Sequence, residues 1–184
     1  MTTAFTRRCG GCPMSPDQAM RQVRVLGDGC AALSLAARAD ELAGHRLTLV
    51  RPQGAPQETD HIWGFWDGPN LAAASRLARK RWHSWSIVTG RGKAVLRSQE
   101  RPYTALHRLD WTAHCRAAAS RAGVATLDGD EAATATDLVF DSRPPPVPDG
   151  MMLQHFLGLE VRSRLAVFDP DTAILMDFRV DQSR

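Results

Sequence analysis

The chain has 184 residues, 43% of them hydrophobic and 23% charged, and its 23 basic and 20 acidic side chains leave a net charge of +3. This length can bury the core of one domain, or of one domain and part of another. The arginines are spread along the chain, so no nucleic-acid partner is expected, and no apolar run is long enough to predict a membrane-spanning helix.

The first 20 residues contain Gly, Thr, Arg and Pro without sustained periodicity, which predicts a disordered tail over residues 1–20. In this tail Cys9 and Cys12 have the C-x-x-C spacing of a redox pair or of half a zinc site. Since no second ligand pair accompanies them, we interpret the pair as accidental and predict no metal site. No apolar segment follows the early arginines as a secretory signal requires, so a cytoplasmic location is expected.

The segment from Gln22 to Val50 has the pattern of a βαβ unit. Residues 23–26 form a β-rich run, residues 30–42 are dense in Ala and Leu and predict a helix, and residues 47–50 form a second β-rich run. Gly44 follows the predicted helix, as a glycine at a helix C-terminus does. Units of this kind build parallel sheets, so the predicted fold class is α/β with a Rossmann-like domain.

Beyond Val50, the sequence pattern predicts further strands and helices and one domain boundary. We expect a loop carrying Trp63, Phe65 and Trp66, and a proline-rich boundary at residues 144–148. Other predicted elements are helices at 71–81 and 109–122, strands at 82–88 and 137–140, and extended segments at 152–162 and 173–180. The predicted domains are a dinucleotide-binding domain at 21–148 and the start of a mixed, β-rich substrate domain at 149–184.

The turn after the first strand fits the dinucleotide motif G-x-G-x-x-G/A. Gly27 permits the tight turn, Gly29 lets the backbone approach a pyrophosphate, and Ala32 is small enough for the helix to approach the strand. The helix N-terminus then offers N–H groups to the phosphates. The same residues also suit a glycine turn that binds nothing, and they do not distinguish NAD from FAD.

Arg51 occupies the end of the second strand, where an acidic residue commonly binds the adenosine ribose. Its guanidinium could meet a 2′-phosphate, or the ribose contact could be lost. The sequence leaves both alternatives open.

Four stretches, in order along the chain, resemble segments of the bacterial lycopene cyclase family of flavoproteins. The first is the glycine turn at 27–29, and the second, residues 60–67, is similar to that family's N-H-T-W-S-F-H-D segment. The third is the strand ending in the D-x-R turn of Asp141 and Arg143. The last comprises residues 153–160 and 176–182, similar to the Q-x-F-x-G-x-E and M-D-x-x-V-D-Q segments.

The resemblance implies an enzyme that closes β-ionone rings on lycopene, or another acyclic carotenoid, without net redox change and with bound reduced FAD. NAD(P)H would serve as the reductant of the flavin. The candidate cofactor contacts are Gly27, Gly29 and Ala32 of the glycine motif, Arg51, and Asp141 and Arg143 of the D-x-R turn. The resemblance places the family's catalytic carboxylates in a later acidic segment, and within these residues Glu160 and Asp177 are the candidate catalytic carboxylates. A lipid-soluble substrate implies peripheral contact with a membrane.

Family members are longer, and the acidic F-L-E-E-T segment of the family would follow residue 182. We therefore expect a truncated and inactive cyclase. The alternative is a non-catalytic nucleotide-binding half-domain that needs a complementing chain to cover its sheet edge and apolar faces.

Overall fold

The computed structural model describes residues 20–54, 59–129, 136–152 and 158–180. Residues 1–19 of the predicted tail, with the Cys9 and Cys12 pair, lie outside the described residues, as do residues 153–157 and 181–184. All structural statements below refer to the described ranges.

The described residues form ten strands and three α-helices. The helices are α1 (Cys30–Ala36), α2 (Ala72–Arg76) and α3 (Arg108–Arg121). The strands are β1 (Arg21–Leu26), β2 (His45–Arg51), β3 (Ile62–Trp66), β4 (Lys80–Trp82), β5 (Ser84–Thr89), β6 (Gly92–Arg97), β7 (Tyr103–His107), β8 (Ala125–Asp128), β9 (Leu138–Asp141) and β10 (Thr172–Asp177).

A four-stranded sheet in the order β8-β2-β1-β9 forms the centre of the fold. Its three pairings are all parallel, with Leu26 opposite Val50 on one side and opposite Asp141 on the other. Parallel neighbours need crossover connections, and α1 supplies the one between β1 and β2. The predicted Rossmann-like α/β fold is confirmed by this topology.

The main core lies between this sheet and two helices. Val25, Leu33 and Cys115 are 1%, 1% and 0% exposed, and they come from β1, α1 and α3. The two helices are tied by a hydrogen bond from Trp111 Nε1 to Ser34 Oγ of 3.1 Å. Strands β1 and β2 and helices α1 and α3 therefore share one apolar cluster, which holds the elements on both sides of the predicted glycine turn.

Two smaller sheets flank the parallel one. The order β3-β7-β4 is antiparallel throughout, whereas in β10-β5-β6 the hairpin β5-β6 is antiparallel and β10 joins β5 in parallel. The predicted mixed β-structure is thus present. Because β10 pairs with β5, strands from both sides of the predicted boundary at 148/149 share one sheet, and the boundary itself stays a prediction.

The predicted helix at 71–81 was wrong. The structure has a 3₁₀ turn at Pro69–Leu71 followed by the short helix α2, and the chain then becomes strand β4. Pairing decides this, because Arg79 N–H donates to the Ala105 carbonyl at 2.8 Å and Lys80 then pairs with Ala105 of β7. The gain from a tertiary strand partner exceeds the modest helix propensity of this segment.

The predicted aromatic loop was also wrong, because Ile62–Trp66 is strand β3. Its side chains alternate in exposure, with Trp63 and Phe65 half-buried on one face. The predicted helix at 30–42 ends earlier, at Ala36, and continues as a 3₁₀ turn at Ala39–Glu41. No helix of the described residues is long and apolar enough to cross a membrane.

Candidate functional site

The carboxyl ends of the four parallel strands meet at one edge of the central sheet. This edge carries the glycine turn after Leu26, the side chain of Arg51 and the turn that follows Asp141. Ligands of open α/β sheets bind outside the carboxyl ends of the strands. The structure therefore brings together, at the expected edge, the segments that hold all six predicted cofactor contacts.

Gly27 is held in a conformation that favours glycine. Its φ is +114°, and its N–H donates to the Val50 carbonyl at 2.8 Å. On the other side Ser142 binds the Leu26 carbonyl through both its N–H, at 2.9 Å, and its Oγ, at 2.8 Å. A Cβ added to Gly27 would collide with Ser142 Oγ. The turn is thus clamped between β2 and the end of β9, and a side chain at position 27 fits neither the backbone nor the space.

Gly29 opens helix α1 from an extended conformation, with φ −76° and ψ −172°. Its carbonyl accepts the Leu33 N–H at 3.0 Å, no side chain caps the helix, and its first turn has no acidic residue. A Cβ built on Gly29 meets nothing within 4 Å. Free N–H groups of a first helical turn beside open space suit an anion such as a phosphate.

Ala32 has the packing role predicted for the third motif position. It is 1% exposed and belongs to the apolar cluster that joins α1 to the sheet. A larger side chain there would push the helix away from β1 and β2, and with it the turn.

Arg51 contacts the glycine turn itself. Its Nε donates to Asp28 Oδ2 at 3.1 Å, and its Nη1 lies 3.9 Å from Asp128 Oδ1 at the end of β8. Its side chain is 44% exposed. The sequence predicted a ligand contact at this position and missed the carboxylate pair, which joins residues from three strand ends.

Asp141 and Arg143 form a local ion pair beside the turn. Arg143 donates from Nε to Oδ1 at 2.9 Å, from Nη2 to Oδ2 at 2.7 Å and from its backbone N–H to Oδ1 at 3.0 Å. These bonds from the Arg143 side chain, and then from its backbone, lower the pKa of Asp141 to about 2. Asp141 is therefore ionised at neutral pH, and Arg143 lies beside Gly27.

The two predicted catalytic carboxylates lie apart from this edge. Asp177 ends β10, where Arg179 donates to it at 2.9 and 2.6 Å and lowers its pKa to about 2 through side-chain and then backbone hydrogen bonds. Glu160 is exposed in a segment without regular secondary structure. In the described ranges no hydrogen bond or ion pair joins either carboxylate to the turn at 27–29, and their catalytic roles stay predictions.

The segment at 60–67 organises the fold through its two acids. Asp60 Oδ1 accepts the Leu109 N–H at 3.2 Å in the first turn of α3, and its Oδ2 lies 2.8 Å from His107 Nδ1. The Leu109 N–H, and to a smaller extent His107, lower the pKa of Asp60. Local sequence patterns could not predict this contact, since Asp60 and Leu109 are 49 residues apart.

Asp67 fixes the turn after β3. It accepts hydrogen bonds from Ser75 Oγ and from the Gly68 N–H, the latter at 2.7 Å, and Arg81 Nε lies 3.6 Å away. The bond from Ser75 is the main reason that the pKa of Asp67 is lowered. Both acids of the segment are therefore occupied by structural contacts, which leaves neither placed as a proton donor.

Gly64 makes room for an aromatic cluster. A Cβ at this position would collide with the phenol of Tyr103, which packs across the strand. Tyr103 lies 5.1 Å from the ring of Trp66, and Trp66 lies 4.5 Å from the ring of Trp85. Trp66, Tyr103 and Trp85 thus form an aromatic cluster between two sheets.

Comparison with known proteins finds one family and several distant folds. The family model described as lycopene cyclase protein matches residues 22–184. No curated protein matches the chain. Similar solved structures include the tetrameric form of 2-methyl-3-hydroxypyridine-5-carboxylic acid oxygenase, with 16% identity and a TM-score of 0.45 over 59% of this chain and 31% of that one.

Two further solved structures have similar scores. CtdE in complex with FAD and a substrate has 18% identity and a TM-score of 0.44 over 59% of this chain and 30% of that one. The peptidyl tryptophan dihydroxylase QhpG has 17% identity and a TM-score of 0.47 over 72% of this chain and 35% of that one. The chain spans about a third of the length of these proteins. At these scores the fold assignment rests on the sheet topology itself.

Proposed function

The chain belongs to the lycopene cyclase family over residues 22–184, and from this premise we propose that it is a flavoprotein of carotenoid biosynthesis that takes lycopene or another acyclic carotenoid. The observation that carries the proposal is the site at 27–29, where a glycine turn clamped at Gly27 opens an uncapped helix onto free space at Gly29. This site lies inside the matched region and at the edge where α/β sheets bind their ligands.

The residues at this edge fit the pyrophosphate of FAD. Gly29 leaves open the space that a Cβ would fill, and the first turn of α1 presents N–H groups without an acidic residue on that turn. Gly27 and Ala32 hold the turn and the helix in position, and Asp141 and Arg143 border the turn from β9. Reduced FAD would supply an electron-rich ring system near the reacting carotenoid, with NAD(P)H as its reductant.

The proposed reaction is an acid-initiated cyclisation without net redox change. An acid protonates a terminal double bond, the resulting tertiary carbocation is attacked by a neighbouring double bond, and loss of a proton leaves the β-ionone ring. Hydrogen bonds from Arg179 lower the pKa of Asp177 to about 2, so this carboxylate is ionised at neutral pH and unsuited to proton donation. Of the two candidate carboxylates, we therefore propose Glu160 as the proton donor.

The substrate dissolves in lipid, so we propose that the protein works in the cytoplasm with peripheral contact to a membrane. The chain spans about a third of the length of the solved structures that it resembles. The cyclisation, its substrate and its membrane contact are therefore proposals for the whole protein to which these residues contribute.

A second candidate function is a non-catalytic nucleotide-binding half-domain that needs a complementing chain. The observation in its favour is the exposure of apolar side chains on β9 and after it, for example Val139 at 54% and Phe168 at 64%. Exposed apolar surface of this extent is typical of interfaces.

Titration of the purified chain with FAD tests the cofactor site. We expect wild type to quench flavin fluorescence, and Gly29→Asp to weaken FAD binding by about a hundredfold. The new carboxylate would cap α1, take the N–H groups that a phosphate needs and repel the phosphate, while the melting temperature stays equal or rises. Gly158→Asp adds the same charge at a glycine with open surroundings and serves as the control. Equal FAD affinity in wild type and Gly29→Asp would contradict the proposed site.

Expression of the chain in lycopene-accumulating bacteria separates the two candidate functions. Appearance of β-carotene or γ-carotene, lost in Gly29→Asp, supports a cyclase. FAD binding in vitro with lycopene left unchanged in the cells supports the half-domain instead.

A further inference from the structure

The glycine turn contains a carboxylate at the place where we propose that phosphate binds. Asp28 stands between Gly27 and Gly29, and its side chain is 24% exposed. Because Asp28 lies in the turn itself, its negative charge would repel a phosphate bound there, and charges at a partly buried site are only weakly screened. The site therefore requires something that offsets Asp28.

Arg51 is the group that meets this carboxylate. It is the last residue of β2, and because β2 is the parallel neighbour of β1, its guanidinium reaches across to the turn that follows β1. The Nε donates to Asp28 Oδ2 at 3.1 Å, and Nη1 lies 3.9 Å from Asp128 Oδ1. The contact with Asp28 is the shorter of the two, and Asp28 is the more buried of the two carboxylates.

We propose that Arg51 is a positioning residue that neutralises Asp28 and turns its carboxylate toward β2, so that the turn can accept a dinucleotide pyrophosphate. The proposal rests on the proposed function and adds the role of a residue that departs from the usual acid at this position. The alternative, in which Arg51 anchors a 2′-phosphate, predicts a different outcome in the second measurement below.

A double-mutant cycle on Arg51 and Asp28 tests this coupling. Arg51→Gln should weaken FAD binding by about tenfold, because Asp28 is left uncompensated beside the phosphate. Asp28→Asn alone should bind FAD at least as well as wild type. The double variant Asp28→Asn with Arg51→Gln should recover to within about threefold of wild type, since no charge then needs to be offset.

Arg79→Gln is the matched control. Arg79 makes a comparable exposed ion pair with Asp110, with Nη2 at 2.8 Å from Oδ2, away from the glycine turn. Its loss should leave FAD affinity unchanged. Circular dichroism melts of all variants identify any that have lost the fold. Arg51→Lys keeps the positive charge and should retain most of the FAD affinity.

A second measurement addresses the 2′-phosphate. Adenosine 5′-monophosphate and adenosine 2′,5′-bisphosphate are used to displace FAD from the wild type, and we expect the bisphosphate to compete no better than the monophosphate. Tighter binding of the bisphosphate that disappears in Arg51→Gln would overturn the proposal in favour of a phosphate anchor.

Two results separate this inference from the proposed function. If wild type binds FAD and the double variant is as weak as Arg51→Gln, the neutralising role is wrong and the FAD site stands. If wild type does not bind FAD, the FAD site is wrong and the role of Arg51 fails with it.

Discussion

Two regions of this chain contain the same kinds of apolar residues but bury them to different extents. In the parallel-sheet core, formed by β1, α1, β2 and α3, Val25 and Leu33 are each 1% exposed. In the C-terminal strip, residues 158–180, Leu159 is 78% exposed and Leu165 is 74% exposed. Composition alone would not separate the two regions.

The two regions differ in whether helices pack over their apolar side chains. Parallel strands are buried where helices cover the sheet, and α1 and α3 pack on each other and on β1 and β2. In the C-terminal strip the described residues form one strand, β10, which pairs with β5. Hydrophobic side chains contribute to stability only where a second layer removes them from water, so the strip should contribute little.

The largest expected effect is in the core. Leu33→Ala removes a fully buried side chain between α1 and the sheet, and it should lower the free energy of unfolding by about 2–5 kcal/mol. Leu159→Ala, the matched change in the strip, should alter it by less than about 0.5 kcal/mol. Urea denaturation followed by circular dichroism measures both. Similar losses for the two variants would show that the strip is buried in solution.

Glycine substitutions should also lower the free energy of unfolding more in the core than in the strip, by a smaller difference than the leucine substitutions. Gly27→Ala forces a φ of +114° on alanine and a collision with Ser142 Oγ, and it should cost about 1–3 kcal/mol of unfolding free energy. Gly158→Ala has open surroundings and should cost almost nothing. Adding Ser142→Ala to Gly27→Ala should recover part of the loss, because only the backbone strain then remains. The absence of any loss in Gly27→Ala would contradict the clamped turn.

The smallest effect concerns two matching turns, one after β9 of the parallel sheet and one in the C-terminal strip. Asp141 and Asp177 each bind the arginine two residues later, and each has a pKa of about 2 against an ordinary value of 3.8. A carboxyl whose pKa is lowered by folding stabilises the fold above its unfolded pKa. That contribution is lost as the pH falls from about 4 to about 2.

Asp141→Asn and Asp177→Asn should therefore each flatten the pH dependence of the melting temperature slightly in this range, and to a similar extent, since both pairs are exposed. A pH titration of thermal melts measures this. An effect for Asp141→Asn without one for Asp177→Asn would show that the C-terminal strip unfolds before the core.

Much of the central unit could be predicted from local sequence because its signals are local. One short segment, residues 22–50, contains the two β-rich runs around Val25 and Leu49, the glycine turn and the helix starting at Cys30. The composition and spacing of its own residues indicate each of these elements. Helix α3 was predicted within one residue at each end for the same reason. The family resemblance was drawn from segments along the rest of the chain, and the family match over residues 22–184 confirms the family.

The elements that were missed depend on partners far along the chain. Strands β3, β6, β7 and β8 lack the uniform apolar run of a central parallel strand, and β6 is exposed along its whole length. Strand β4 even lies inside a segment that predicts a helix. Such strands form because a neighbour supplies the hydrogen bonds, and single-chain periodicity does not contain that information.

The sequence by itself determined the glycine turn, its βαβ setting and the family, because these depend on residues close together in the chain. Only the tertiary structure decided what surrounds the turn. The bond of Arg51 to Asp28 spans 23 residues, and the clamp of Ser142 on Leu26 spans 116. Both arise because parallel strands bring their carboxyl ends to one edge, where residues distant in the chain become neighbours.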